Sequence, residues 1–171
     1  MLMKEDNVVI EQAIATYGQR LYGLCITLCR SKSDADDLYQ DTWFKVMMKL
    51  DQYDETQPFE PWLTRICVNT YKDQRRSKIA KKLFDRFATN EEKDDFIESA
   101  GTNQPEDYTF VHQAVQQLPQ KLRLVIILYY FQQANIKETA DLLHISEGTV
   151  KSRLHTARTQ LKEVLQDEIE F

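Results

Sequence analysis

Between residues 146 and 162 apolar side chains return at intervals that a strand cannot use and a helix requires. Val150, Leu154, Ala157 and Leu161 recur at steps of four, three and four, forming one apolar stripe. Ser146 is a natural N-cap, and Glu147 puts negative charge in the first turn, where the helix dipole favours it. The other faces carry Thr149, Lys151, Ser152, Arg153, His155, Thr156, Arg158 and Lys162. Two readings fit this pattern. One is a surface helix of any bundle, with a charged face that is merely solvated. The other is a helix shaped for the major groove of DNA, with N-terminal side chains at base edges and cations at phosphates.

The preceding residues favour the second. Asn135 can cap a short helix through Lys137, Glu138, Thr139, Ala140, Asp141, Leu142 and Leu143, and His144-Ile145 then connect to the Ser146 cap. Two short helices joined by about three or four residues is the helix-turn-helix spacing. Upstream, Leu118-Pro119 opens another helix, with Pro119 expected at its first position. Leu122, Val125, Ile126 and Tyr129 share a face, while Leu124, Ile127, Leu128, Tyr130 and Phe131 make it apolar nearly all round. Such a helix belongs at the centre. Residues 108–165 thus read as a four-helix unit.

Only four Gly and four Pro occur in 171 residues, and long periodic runs dominate, so the chain is read as all-α. No stretch approaches the ~20 uninterrupted apolar residues of a membrane span, and the N-terminus lacks a basic segment followed by an apolar one, so neither insertion nor a signal peptide is expected. Cys25 and Cys29, at i and i+4, have no neighbouring His or Cys to complete a tetrahedral metal set. With Cys67 they read as buried thiols of a reducing cytosol. No metal or cofactor is expected.

The net charge of −5 is unevenly placed. Residues 1–82 hold 13 Lys/Arg against 12 Asp/Glu, residues 83–107 hold 2 against 8, and residues 120–162 hold 7 against 3. The sequence therefore divides into a helical domain at 1–82, a flexible acidic linker at 83–107 and a helical domain at 108–171. Phe84, Phe87, Phe96 and Ile97 are apolar exceptions in the linker.

The N-terminal domain offers three helices. The first, over 8–29, directs Ile10, Ile14, Tyr17, Leu21, Leu24, Cys25 and Leu28 inward. The second starts from an Asp34 cap and runs to residue 50, burying Ala35, Tyr39, Trp43, Val46, Met47 and Leu50. Its other face collects Asp37, Gln40, Asp41, Phe44 and Met48. There Phe44 either completes the core or forms an apolar docking spot rimmed by charge. The third helix runs from Trp62 to Lys81-Lys82, with Leu63, Ile66, Cys67 and Thr70 inward. Arg65, Asn69, Lys72 and Arg76 form a basic ridge that Arg75, Lys78, Lys81 and Lys82 extend. Trp62 and Tyr71 add rings able to stack on an unpaired base.

Together these blocks resemble the extracytoplasmic-function group of bacterial sigma factors. The resemblance rests on Asp34-Ala35-Asp36-Asp37-Leu38-Tyr39-Gln40-Asp41-Thr42-Trp43-Phe44-Lys45, on Trp62-Leu63-Thr64-Arg65-Ile66-Cys67-Val68-Asn69 with Asp73, Arg75 and Arg76, on Leu118-Pro119, and on residues 145–154 with Ala157-Arg158. It implies a non-enzymatic promoter-specificity subunit of RNA polymerase. Asp37, Gln40, Asp41, Phe44, Lys45 and Met48 would dock on the clamp helices of the core enzyme. Trp62, Arg65, Asn69, Lys72, Arg75 and Arg76, with the loop at 53–60, would hold the −10 element and capture a flipped base. Glu147, Gly148, Thr149, Lys151, Ser152, Arg153, His155 and Arg158 would read the −35 element, and the same unit would bind the polymerase flap. The linker would run through the polymerase toward the RNA exit path. The implied partners are core polymerase, promoter DNA and an anti-sigma factor, with no small-molecule substrate, for a cytoplasmic protein that is monomeric when free.

Two departures concern glycine: the family's usual Gly near Gln133 and at His144 are both missing, although His tolerates a left-handed turn. The rival readings are a free-standing helix-turn-helix regulator, which leaves the N-terminal blocks unexplained, and an enzyme, for which no phosphate loop, ligand cluster or nucleophile motif is present.

Overall fold

In the computed structural model, residues 4–89 and 109–169 are described, and these residues contain helices and turns without a strand. The elements are α1 (Lys4–Leu28), α2 (Lys32–Lys49) with a 3₁₀ turn at Leu50–Gln52, α3 (Phe59–Thr89), α4 (Thr109–Gln117), α5 (Gln120–Ile126) continuing as a π-helical segment (Ile127–Phe131), α6 (Ile136–Leu143) and α7 (Glu147–Ile169). Two compact units form: Met1–Leu21 with Asp36–Gly101, and Tyr22–Ala35 with Thr102–Phe171. The α1–α2 turn joins the second unit, where Gln116 Nε2 donates to the Thr27 carbonyl at 2.5 Å and Arg30 Nη2 to the Gln116 carbonyl at 3.4 Å.

On α1, Ile10, Leu21, Leu24, Cys25 and Leu28 are buried as expected, whereas Ile14 is exposed and Tyr17 is half-buried. The cap of α2 is Ser31 rather than Asp34: Ser31 Oγ accepts from the Asp34 amide at 3.1 Å, and the Ala35 amide donates to the Ser31 carbonyl. A hydroxyl three residues before an amide satisfies one of the orphan donors of the first turn, so the helix starts earlier. Ala35, Leu38, Thr42 and Val46, at steps of three, four and four, are fully buried. Leu38 and Thr42 are additions to the expected inner face. Thr42 fits there because its hydroxyl donates to the Leu38 carbonyl at 2.6 Å. Leu63, Ile66, Cys67 and Thr70 are buried on α3, and so is Tyr71, which is 3% exposed and has no face left for a base.

The third helix departs from expectation at both ends. It begins at Phe59 with Pro61 inside its first turn, where a missing amide costs nothing. It continues to Thr89, so residues 83–89 of the expected linker are helical. Ile79, Leu83 and Phe84 are exposed on this extension. The remainder of the expected linker, with Phe96 and Ile97, lies outside the described residues.

In the second unit α5 is central, and Leu124–Leu128 are all buried. Pro119 precedes the first helical residue as the cap, with φ −51° and ψ 141°, instead of occupying the first turn. The expected continuous α-helix loosens at Ile127, and Tyr130 and Phe131 end up exposed. Arg123 is the largest fully buried side chain, and Nη1 donates to the Gln116 carbonyl and to Gln116 Oε1 at 2.9 and 3.1 Å. A buried guanidinium needs such partners, and nothing in the apolar pattern around it marked Arg123 as inward.

Candidate polymerase and promoter interfaces

The outer face of α2 carries Asp37, Gln40, Asp41, Phe44 and Met48, all exposed. Phe44 is 63% exposed and Met48 69%, so the core-completing alternative for Phe44 does not hold. Two crossings to α3 hold the rim of this spot. Gln74 Nε2 donates to Asp41 Oδ2 at 2.7 Å, and Lys45 Nζ pairs with Asp73 Oδ2 at 3.2 Å. Lys45 is thereby turned toward α3 and is half-buried, apart from the five exposed side chains. Arg76 lies 3.8 Å from the other Asp73 oxygen. Such surface pairs contribute only ~0–1 kcal/mol each, but they orient the carboxylates beside Phe44.

At the start of α3 four rings come together. Tyr53 and Trp62 have centroids 4.9 Å apart, Phe59 and Trp62 5.4 Å, Tyr53 and Phe59 5.2 Å, and Tyr17 of α1 meets Phe59 at 5.2 Å. Arg20 of α1 adds an ion pair to Glu60 at 2.9 Å. Sequence reasoning placed Tyr17 in a core and missed this cluster. The only available signal was the density of rings at 53–62. The preceding loop is closed on itself: Tyr53 Oη donates to the Gln57 carbonyl, and Asp54 Oδ1 accepts from the Thr56 amide and hydroxyl at 3.0 and 2.7 Å. Those two donors hold the Asp54 carboxyl below its usual range. Burial, then the neighbouring Tyr17, Asp54 and Glu55, push the Tyr53 phenol up. Along α3, Arg65 and Arg76 are exposed, while Trp62, Asn69, Lys72 and Arg75 are half-buried.

In the second unit both caps of the helix-turn-helix form. Asn135 Oδ1 accepts from the Glu138 amide at 2.9 Å, and Glu138 Oε2 accepts from the Asn135 amide at 2.8 Å, a reciprocal capping box. Ser146 Oγ accepts from the Thr149 amide at 3.1 Å. His144 takes the left-handed conformation (φ 55°, ψ 49°), and the Ile145 amide donates back to the Ala140 carbonyl. Gln133 is also left-handed, with φ 54°. Both missing glycines therefore fall where the backbone needs a positive φ. Val150, Leu154 and Ala157 are buried. This leaves Glu147, Gly148, Lys151, Ser152 and His155 exposed, with Thr149 and Arg153 half-buried. The hydroxyl of Ser152 donates to the Thr149 carbonyl at 3.1 Å, and Thr149 Oγ1 lies 2.8 Å from Ser146 Oγ, so both are engaged within α7. Arg158 stands apart from the expected set: its Nε donates to Tyr130 Oη at 2.7 Å. Behind α7 lies an apolar groove of about 510 Å³, lined by Val111, Val115, Ile126, Tyr130, Phe131, Leu161 and Leu165 with Arg158 and Lys162.

Residues 13–80 match the family model for sigma-70 region 2, and residues 111–161 match that for sigma-70 region 4. The chain belongs to the extracytoplasmic-function sigma factors. It is 27% identical to the sigma factor SigW of Bacillus subtilis strain 168, over 96% of this chain and 92% of that protein. It is 26% identical to the sigma-H factor of Pseudomonas aeruginosa, over 96% and 90%. In three dimensions it is similar to the sigma factor RpoE of Bartonella quintana, solved with the anti-sigma factor NepR, with TM-score 0.73, 26% identity and coverage of 91% and 96%. CnrH, solved with the cytosolic domain of CnrY, shares the fold at TM-score 0.65 and 23% identity, over 94% of this chain and 90% of CnrH. Sigma factors are initiation factors without enzymatic activity of their own. Among the described residues no helix is long and apolar enough to cross a membrane, and no group of three or more His, Cys, Asp or Glu side chains could hold a metal ion.

Proposed function

We propose that this sigma factor directs core RNA polymerase to a set of promoters through three faces. The exposed Phe44–Met48 spot with Asp37, Gln40, Asp41 and Lys45 takes the clamp helices of the core enzyme. The Tyr53–Trp62 ring cluster, with Arg65, Asn69, Lys72, Arg75 and Arg76, holds the −10 element and stabilises its melted form. Opening each base step costs roughly 0.6–2.2 kcal/mol, and ring stacking at about 1–3 kcal/mol per base is of the size needed to offset it. Glu147, Gly148, Thr149, Lys151, Ser152, Arg153 and His155 of α7 face the −35 element, and Arg158 supports them.

The observation that carries this reading is the pairing of an exposed aromatic among carboxylates on α2 with a Ser146-capped, outward-basic α7, in the order of sigma regions 2 and 4. The assignment of 1–82 to the clamp and −10 element, 83–107 to a connector and 108–171 to the −35 element belongs to the same proposal. The apolar groove behind α7 is suited to the polymerase flap, and its cationic rim also suits an anti-sigma helix. The complex of RpoE with NepR supports control of this kind. A cytoplasmic location accords with the SigW likeness.

The test is run-off transcription by core polymerase over a promoter library, with and without the chain. Transcripts from a discrete promoter set that depend on the chain are expected. Identical transcript profiles in both arms would overturn the proposal.

A further inference from the structure

Arg158 looks, from sequence, like one more cation for the DNA backbone, but its surroundings give it another task. Its Nε donates to Tyr130 Oη at 2.7 Å, and its Cζ lies 5.6 Å from the Tyr130 ring centroid and 5.8 Å from that of Tyr129. The two rings stand edge to face, with centroids 5.1 Å apart and planes at 76°. A planar guanidinium can stack on rings and donate in a fixed direction at the same time, which a lysine cannot do.

The partner surface is produced by an irregularity in α5. From Ile127 to Phe131 the helix is π-wound, and the Gln132 amide reaches back to the Ile127 carbonyl at 3.1 Å. Here the segment presents two consecutive tyrosines to one arginine of α7. Arg158 also stands seven residues after Lys151, about 10 Å farther along the axis, beyond the N-terminal turns that enter a groove.

We infer that Arg158 is a positioning residue: clamped by Tyr129 and Tyr130, it fixes the roll of α7 on the π segment and so sets where Lys151, Arg153 and His155 point. The inference rests on the reading of α7 as the −35 helix, and the test separates the two. The full chain is titrated at low salt, well below its melting midpoint, against a fluorescent duplex carrying a −35 element recovered from the run-off library. A scrambled duplex serves as reference, and the titration is repeated over a salt series.

Tyr130→Phe and Arg158→Lys are each expected to weaken the excess over the scrambled duplex about three- to ten-fold. The double variant should be no weaker than the worse single one, and the slope of log affinity on log salt should stay unchanged. Three results overturn the inference. If Tyr130→Phe is silent while Arg158→Gln lowers the slope by about one, Arg158 contacts a phosphate. If melting falls in both variants but affinity does not, the contact is structural only. If the wild-type chain shows no excess over the scrambled duplex, or Lys151→Ala changes neither affinity nor slope, the DNA reading of α7 itself fails.

Discussion

At the scale of single residues, Phe44 and Met48 decide most. Two large apolar side chains exposed one turn apart beside carboxylates form a patch suited to a partner, and desolvated aromatic anchors are where interface energy concentrates. Replacing both by Ala should weaken binding to core polymerase by about ten-fold or more, equivalent to about 1.4 kcal/mol, with no loss in melting temperature. Surface plasmon resonance on immobilised core enzyme measures it, and unchanged affinity would remove the docking face.

His112 offers a pH test. Burial, then the Arg123 guanidinium, lowers its pKa, so the folded unit prefers the neutral ring. Below about pH 6.5, the ordinary imidazole value, the unfolded chain takes up a proton that the folded chain refuses. Stability is therefore full above that pH and falls as the pH drops toward the depressed folded value. Thermal melts from about pH 7.5 to about pH 5 should show a shallower decline for His112→Gln than for the wild-type chain. Parallel declines would contradict the assignment. Gln133 is a third case: its positive φ predicts that Gln133→Gly stabilises by roughly 0.5–1 kcal/mol, read as a rise in melting temperature.

At the scale of elements, the helices were legible because their periodicity was strong, and their ends were legible where a side chain capped them. Asn135 and Ser146 were read correctly since each stands just before an apolar-periodic run. Asp34 was misread because Ser31 lies one turn earlier and acts first. The π segment had no sequence signal at all: an all-apolar run such as 124–131 has the same apolar spacing whichever way its last turn is wound. The extension of α3 to Thr89 escaped notice because its charge resembles a linker, although Leu83 and Phe84 continue a helical spacing from Ile79. On the face of α3, Arg65→Ala with Arg76→Ala should slow open-complex formation by about ten-fold or more while polymerase binding stays within about two-fold, since both cations would act on DNA phosphates and neither on the polymerase. Permanganate footprinting against a pull-down separates the two, and equal losses would refute the division between α2 and α3.

At the scale of the whole molecule, what could be read in advance was the number of modules and their kind; what could not was the meeting of residues distant in sequence. Tyr17 with Phe59, Lys45 with Asp73 and Gln74 with Asp41 are 28 to 42 residues apart, and single-sequence periodicity carries no information at that range. The buried thiols carry a final consequence. Cys25, Cys29 and Cys67 are all buried, so an alkylating dye reaches a thiol only when these helices part. Labelling kinetics would thus clock the breathing of the molecule, and an oxidative stimulus would have to be sensed by something other than these three thiols.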